Sequence, residues 1–210
     1  ESVLIYPDPN DRYVPNSAFS VSFWINPRYK SEANKPFSPG TILHVSSSFC
    51  ISLISGSTRD VQEKVDKYKI LVQLSQSADT PPNSIDFNNL SFPNDLIFTS
   101  SNELSFNNWH HVTYTWGGQN INNYTGSLYV DDVRTDFSIP SASLTTKTHN
   151  VDGSGIFVGN YYSGPSSETS KFFNNVTSEN EGVVKLHGID GASPAGFAFN
   201  SPLNAEIHEL

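Results

Sequence analysis

Methionine is missing from the whole chain, and cysteine occurs once, at Cys50, among 210 residues. One cysteine excludes any disulfide within the chain, so packing alone has to hold the fold together. Cys50 lies in the apolar run Phe49-Cys50-Ile51-Ser52-Leu53-Ile54, where a small buried hydrophobe is expected rather than a nucleophile. The chain starts at Glu1 without an initiator methionine, and residues 205–210 alternate polar and apolar like a strand that stops without a turn. Both ends lead us to expect a segment excised from a longer protein. Charge is scarce too, at 16% of residues, with 12 basic and 21 acidic side chains and a net charge of −9. No cluster of Lys and Arg is present, which excludes nucleic-acid binding by counterion displacement and disfavours anionic membranes. The net charge is expected to serve solubility, or some of the carboxylates to hold a calcium ion. No apolar run approaches the ~20 residues that cross a bilayer, and no signal peptide is seen.

Neutral polar residues stand where the charges are missing: 31 Ser, 21 Asn and 13 Thr. These favour turns and pleated surfaces and weaken helix interiors. The sequons at Asn89, Asn123 and Asn175 are what such a composition yields by chance. The clearest strand puts Phe19, Val21, Phe23 and Ile25 on one face and Ser20, Ser22, Trp24 and Asn26 on the other, a period of two. Pro27 ends it. Further strands are expected over residues 41–45 and 49–54, joined through Ser46 to Ser48, and over 69–74, 85–90 and 96–99. Residues 109–116 and 127–133 form a hairpin across the turn-rich stretch 117–126, with 136–139 extending the second arm. Residues 156–162, 183–186 and 205–210 complete the set. Residues 58–67, 76–84 and 163–182 read as polar or Pro-rich excursions. About ten to thirteen short strands without an amphipathic helix predict an all-β, two-sheet antiparallel jelly-roll sandwich. No repeat or change of composition divides the chain, so residues 1–210 are expected to form one domain, long enough to bury a core unaided.

Three segments resemble the laminin-G-like and concanavalin A-like lectin/glucanase superfamily. The opening strand is Phe19-Ser20-Val21-Ser22-Phe23-Trp24-Ile25-Asn26-Pro27. The central hairpin is Trp109-His110-His111-Val112 followed by Leu128-Tyr129-Val130-Asp131-Asp132. Gly155-Ile156-Phe157-Val158-Gly159-Asn160 follows, and residues 205–210 are similar to a closing strand without its usual continuation. Asp132 replaces the usual turn glycine, and the hairpin tip is longer than usual, so the identity of a ligand does not carry over. The resemblance implies a jelly roll with a role in glycan binding, adhesion or assembly. The Asn- and Ser-rich, cysteine-poor style also resembles phage and virion structural proteins, which implies display on a virion or extracellular surface as part of a larger assembly.

The carboxylate pattern of sandwich glycosidases, Glu-x-Asp-x-Glu or Glu-x-Asp-x-x-Glu on one strand face, is absent, so no enzyme is expected. Glu206 and Glu209 would point to opposite faces, and Asp60 and Glu63 lie in a polar stretch. His110 and His111 likewise face opposite ways along a strand and suit one packed and one open position better than one zinc ion. Calcium takes carboxylate and carbonyl oxygens. Its candidate ligands are Asp131, Asp132, Asp152, Asn160 and Asp190, all expected at strand ends or in loops, where the same residues also serve as turn caps. For a glycan, the candidate residues are Trp24, either a stacking platform or covered by a loop, and Tyr124, Tyr161 and Tyr162, expected to be exposed beside Asp131 and Asp132 at one rim. Val112, Tyr114, Trp116, Leu128 and Val130 are expected in the core. The readings left open are a glycan-binding adhesion module, a structural domain packing against neighbouring subunits, and a carbohydrate-active hydrolase.

Overall fold

The computed structural model describes residues 3–7, 18–29, 37–45, 48–56, 67–85, 96–117, 125–138, 155–162 and 201–210. They form twelve strands: β1 (Leu4–Pro7), β2 (Phe19–Pro27), β3 (Gly40–Val45), β4 (Phe49–Ser55), β5 (Lys67–Leu74), β6 (Ile97–Thr99), β7 (Leu104–Ser105), β8 (His110–Trp116), β9 (Thr125–Val130), β10 (Val133–Ser138), β11 (Gly155–Val158) and β12 (Ala205–His208). All pairs are antiparallel. One sheet runs β1-β11-β3-β4-β5-β6, with β7 also pairing β5, and the other runs β10-β9-β8-β2-β12. The architecture is the all-β two-sheet jelly-roll sandwich expected from the alternation.

Alternation places the core between the sheets. Phe23, Ile25, Val112, Tyr114, Trp116, Leu128 and Val130 from the five-stranded sheet meet Val45, Phe49, Ile51, Leu53, Ile70 and Val72 from the other. Phe137 of β10 closes one side, with its ring 4.0 Å from Phe98 and 5.9 Å from Tyr114. That ring lies over Gly126, where a Cβ would come within 2.4 Å of it, so only glycine fits there.

The two sheets are covered differently. The five-stranded sheet keeps a clean alternation, as in β8, where every second residue is buried. In the other sheet β3 is buried throughout. Its outer face is roofed by the 3-10 turns Ser75–Asp79 and Pro82–Ser84 and by residues 160–162. Ala78 and Tyr161 pack on Cys50, and Ile85 on Ile54 and Leu71.

Three departures from the sequence reading have physical causes. Residues 133–138 do not extend β9. They turn back and pair with it, because Asp131 and Asp132 form a two-residue turn. Residues 76–84 hold two 3-10 turns rather than open loop. Short β1 and β7, paired with β11 and β5, are too brief to show a period. The expected excursions at 58–66 and 163–182, the strand at 183–186, and 86–90 of the strand at 85–90 lie outside the described residues; Ile85 itself is not in a strand.

Candidate functional site

Among the described residues, the outer face of the five-stranded sheet gathers the most binding chemistry on an open surface. The registers set its side chains in rows across the strands. His208, Trp24 and His111 make one row. Ser22, Thr113, Tyr129 and Arg134 make the next, then Ser20, Thr115, Ser127 and Asp136. Trp24 is 40% exposed, and its ring meets His111 at 5.0 Å. The His111 Nε2 and Ser22 Oγ are hydrogen-bonded at 2.9 Å, and Ser22 Oγ lies 3.2 Å from Thr113 Oγ1. The indole therefore stands beside a braced imidazole and a run of hydroxyls. Arg134 lies 6.0 Å from the Tyr129 ring centre and donates to Asp136 Oδ1 at 2.6 Å. Ser127 Oγ donates to the same oxygen. These two donors, Ser127 first, hold the Asp136 carboxyl below its ordinary range.

Asp131 anchors the end of this face. Asp131 and Asp132 both have positive φ, 48° and 65°, the backbone of a primed hairpin turn that usually takes Asn-Gly or Asp-Gly. The Asp131 carboxylate accepts the His111 backbone N–H at 3.0 Å through Oδ1 and meets His110 Nδ1 at 2.5 Å through Oδ2. His110 Nε2 accepts the Ser105 N–H at 2.8 Å, so the ring proton sits on Nδ1 and points at Asp131. Both carboxylate oxygens are thus committed to bracing the start of β8. His110 is packed and His111 half-open, as the alternation predicts.

The other candidates are placed elsewhere. Tyr161 and Tyr162 are not exposed: they are 1% and 3% accessible. The correction follows from the roofed sheet, since Tyr161 stacks on His44 at 4.2 Å and donates to the Ala78 carbonyl, while Tyr162 stacks on Phe157 at 4.8 Å. Asn160 is buried beside them, its Oδ1 accepting the Tyr161 and Ser201 N–H groups. Of the five proposed calcium ligands, the structure joins Asp131 and Asp132 in one turn and sets Asn160 in the bend after β11 of the other sheet. Asp152, Asp190 and Tyr124 lie outside the described residues. Among the described residues no three His, Cys, Asp or Glu side chains come together to hold a metal.

No family model and no curated protein matches the chain. Solved structures similar to it include a native heptameric SAP-like pentraxin from Limulus polyphemus, at 15% identity and a TM-score of 0.38 over 75% of this chain and 64% of that one. The binding domain of botulinum neurotoxin serotype D/C is similar at 14% and 0.35, over 68% of this chain and 27% of that one. A Bacteroides ovatus protein named for carbohydrate binding is similar at 14% and 0.38, over 75% and 34%. At these scores the likenesses say nothing of ligands, and the site rests on its own geometry.

Trp24 stands out in the sequence, whereas its neighbour His111 and the adjoining row with Tyr129 and Arg134 do not. The alternation of β8 did carry a signal, since it puts His111 and Thr113 on one face. Which strand lies beside β2 is set by the fold and is not written in any local pattern.

Proposed function

We propose that this chain is a non-catalytic recognition module, displayed on an extracellular or virion surface, that binds glycans on the outer face of its five-stranded sheet. The observation that carries this reading is Trp24, open beside the His111 imidazole and the hydroxyls of Ser22 and Thr113. A sugar ring offers an apolar face for an indole and hydroxyls around its rim that exchange hydrogen bonds with Ser, Thr and His, so the two surfaces match group for group. The carboxylates of the same face favour binding over hydrolysis. Asp136 on β10 and Glu206 on β12 lie at opposite edges of the sheet, four strand spacings or about 19 Å apart across it and a further six residues or about 20 Å apart along it. A glycosidase needs its pair within roughly 5–10 Å.

The test is a glycan array probed with the 210-residue chain, followed by titration of the hits against Trp24→Ala. Binding lost in the variant supports the reading. An array without hits, or hits that Trp24→Ala leaves untouched, removes it.

A further inference from the structure

Trp109 is the second indole left open, at 47%, and the sequence reading assigns it no role. Trp109 directly precedes β8, in which His110 is packed and His111 faces out; carried one residue past the start of the strand, that alternation sets Trp109 on the outer face with His111. The β2–β8 register pairs Trp24 with His111 and Ile25 with His110. Carried one step past its last pair, that register sets Asn26 opposite Trp109, and beyond it the Asn107 N–H of the preceding turn, one residue out of register, donates to the Pro27 carbonyl at 2.9 Å. Trp24 and Trp109 are therefore diagonal neighbours on adjacent strands, roughly 7–8 Å apart.

Asn26 follows Trp24 by two residues on β2 and, on the continued register, faces Trp109 across the strands. It is only 3% exposed although it stands on the outer face. Its neighbours on that face are Trp24 and Arg28 along the strand and Glu206 on β12. Its Oδ1 has no hydrogen-bond partner among the described residues. A buried carbonyl is costly to leave unpaired, and stability alone gives no reason to keep one beside two open indoles. The charges nearby are already answered. Arg28 donates to Glu206 at 2.7 Å and also to Asn107, and Arg134 donates to Asp136. Among the described residues both guanidiniums of this face sit on carboxylates, and together with a net charge of −9 that disfavours an anionic ligand.

Resting on the glycan reading above, we propose that the face is a two-indole platform for a neutral oligosaccharide, with successive sugar units on Trp24 and Trp109 and a hydroxyl between them donating to Asn26 Oδ1. Reaching that oxygen requires a neighbouring side chain to turn aside, which an arriving ligand can drive.

The experiment titrates the 210-residue chain with neutral oligosaccharides, the matching monosaccharides, and sialylated or sulfated glycans. It compares the wild type with Trp24→Ala, Trp109→Ala and Asn26→Leu, each checked by circular dichroism and thermal unfolding. Neutral oligosaccharides should bind more tightly than their monosaccharides, and Trp109→Ala should weaken the oligosaccharides about tenfold. Asn26→Leu should weaken them too while its unfolding temperature holds or rises, which a merely structural asparagine would not do. Trp109→Leu, which keeps bulk without an aromatic face, gives the same answer if the alanine variant folds poorly. Preference for anionic glycans, equal binding of monosaccharides, or wild-type affinity in the Trp109 variants overturns the two-indole platform and leaves the Trp24 site standing. Loss of every hit, or indifference to Trp24→Ala, overturns both.

Discussion

The His44 imidazole of β3 lies flat against Tyr161, and its Nδ1 accepts the Tyr162 N–H at 3.4 Å. Burial holds its pKa down to about 3, against a weaker upward pull from the Ala78 carbonyl. In the unfolded chain an imidazole titrates near 6.5, so between these values the unfolded state takes up a proton that the folded state refuses. The stability held by neutral His44 is complete above about pH 6.5 and falls by about 1.4 kcal/mol per pH unit as the solution is acidified towards pH 3. Urea unfolding of the wild type and His44→Gln at pH 7, 5 and 4 measures this share. Their difference should shrink with acid, and a constant difference contradicts the account. Across the β3–β4 pair from His44, burial pushes the Cys50 thiol up to about 12, outweighing hydrogen bonds from Ser52 and Thr41. Cys50 should ignore a thiol reagent at pH 8 in the native protein and react once urea unfolds it.

The β9–β10 hairpin is where a local rule is broken. Two aspartates occupy positive-φ positions, and the second usually belongs to glycine. Asp132→Gly should raise stability by up to about 1 kcal/mol, because it relieves a strained backbone without removing any hydrogen bond described here. Asp131→Ala should lower it by about 1–3 kcal/mol, because it strips the acceptor from His110 and from the His111 N–H. Chemical denaturation of both variants measures the two signs. The strands themselves were legible where one face meets water: Phe19 to Ile25 and Val112 to Trp116 show the period of two that the structure keeps. In β3, β4 and β5 both faces are covered, so polar and apolar residues no longer sort by face, and the roof over His44 and Cys50 left no trace in the pattern. That roof is also why Tyr161 and Tyr162, at a strand end, turned out buried. Trp24 was legible as an outward residue because its own strand alternates. Its setting is not, because His208 and His111 come beside it only through strand pairing between segments far apart in the chain.

At the scale of the molecule, residues 201–208 tie the two sheets to each other. The Ser201 carbonyl accepts the Thr41 N–H of β3 at 2.9 Å, and the Leu203 N–H donates to the Gly159 carbonyl after β11 at 2.9 Å. A few residues on, the Asn204 carbonyl accepts the Arg28 N–H at 3.0 Å, and β12 pairs with β2 in the opposite sheet. A deletion of residues 201–210 removes contacts to both layers and leaves β2 as an edge of its sheet. The shortened chain should lose its cooperative thermal transition, whereas deletion of the last two residues alone, beyond β12, should leave it nearly unchanged. Retention of a sharp transition by the longer deletion argues that the sheets hold without this tie.

The three indoles of this chain sit in two kinds of surroundings. Trp116 is sealed at 4% exposure, while Trp24 and Trp109 face water. Ultraviolet emission from the open pair is tuned by the solvent against them, and Trp24 also has an imidazole at its side. Anything laid across both rings displaces that water and moves the emission to the blue, over a steady background from Trp116. The molecule carries its own optical gauge of occupancy and needs no added dye.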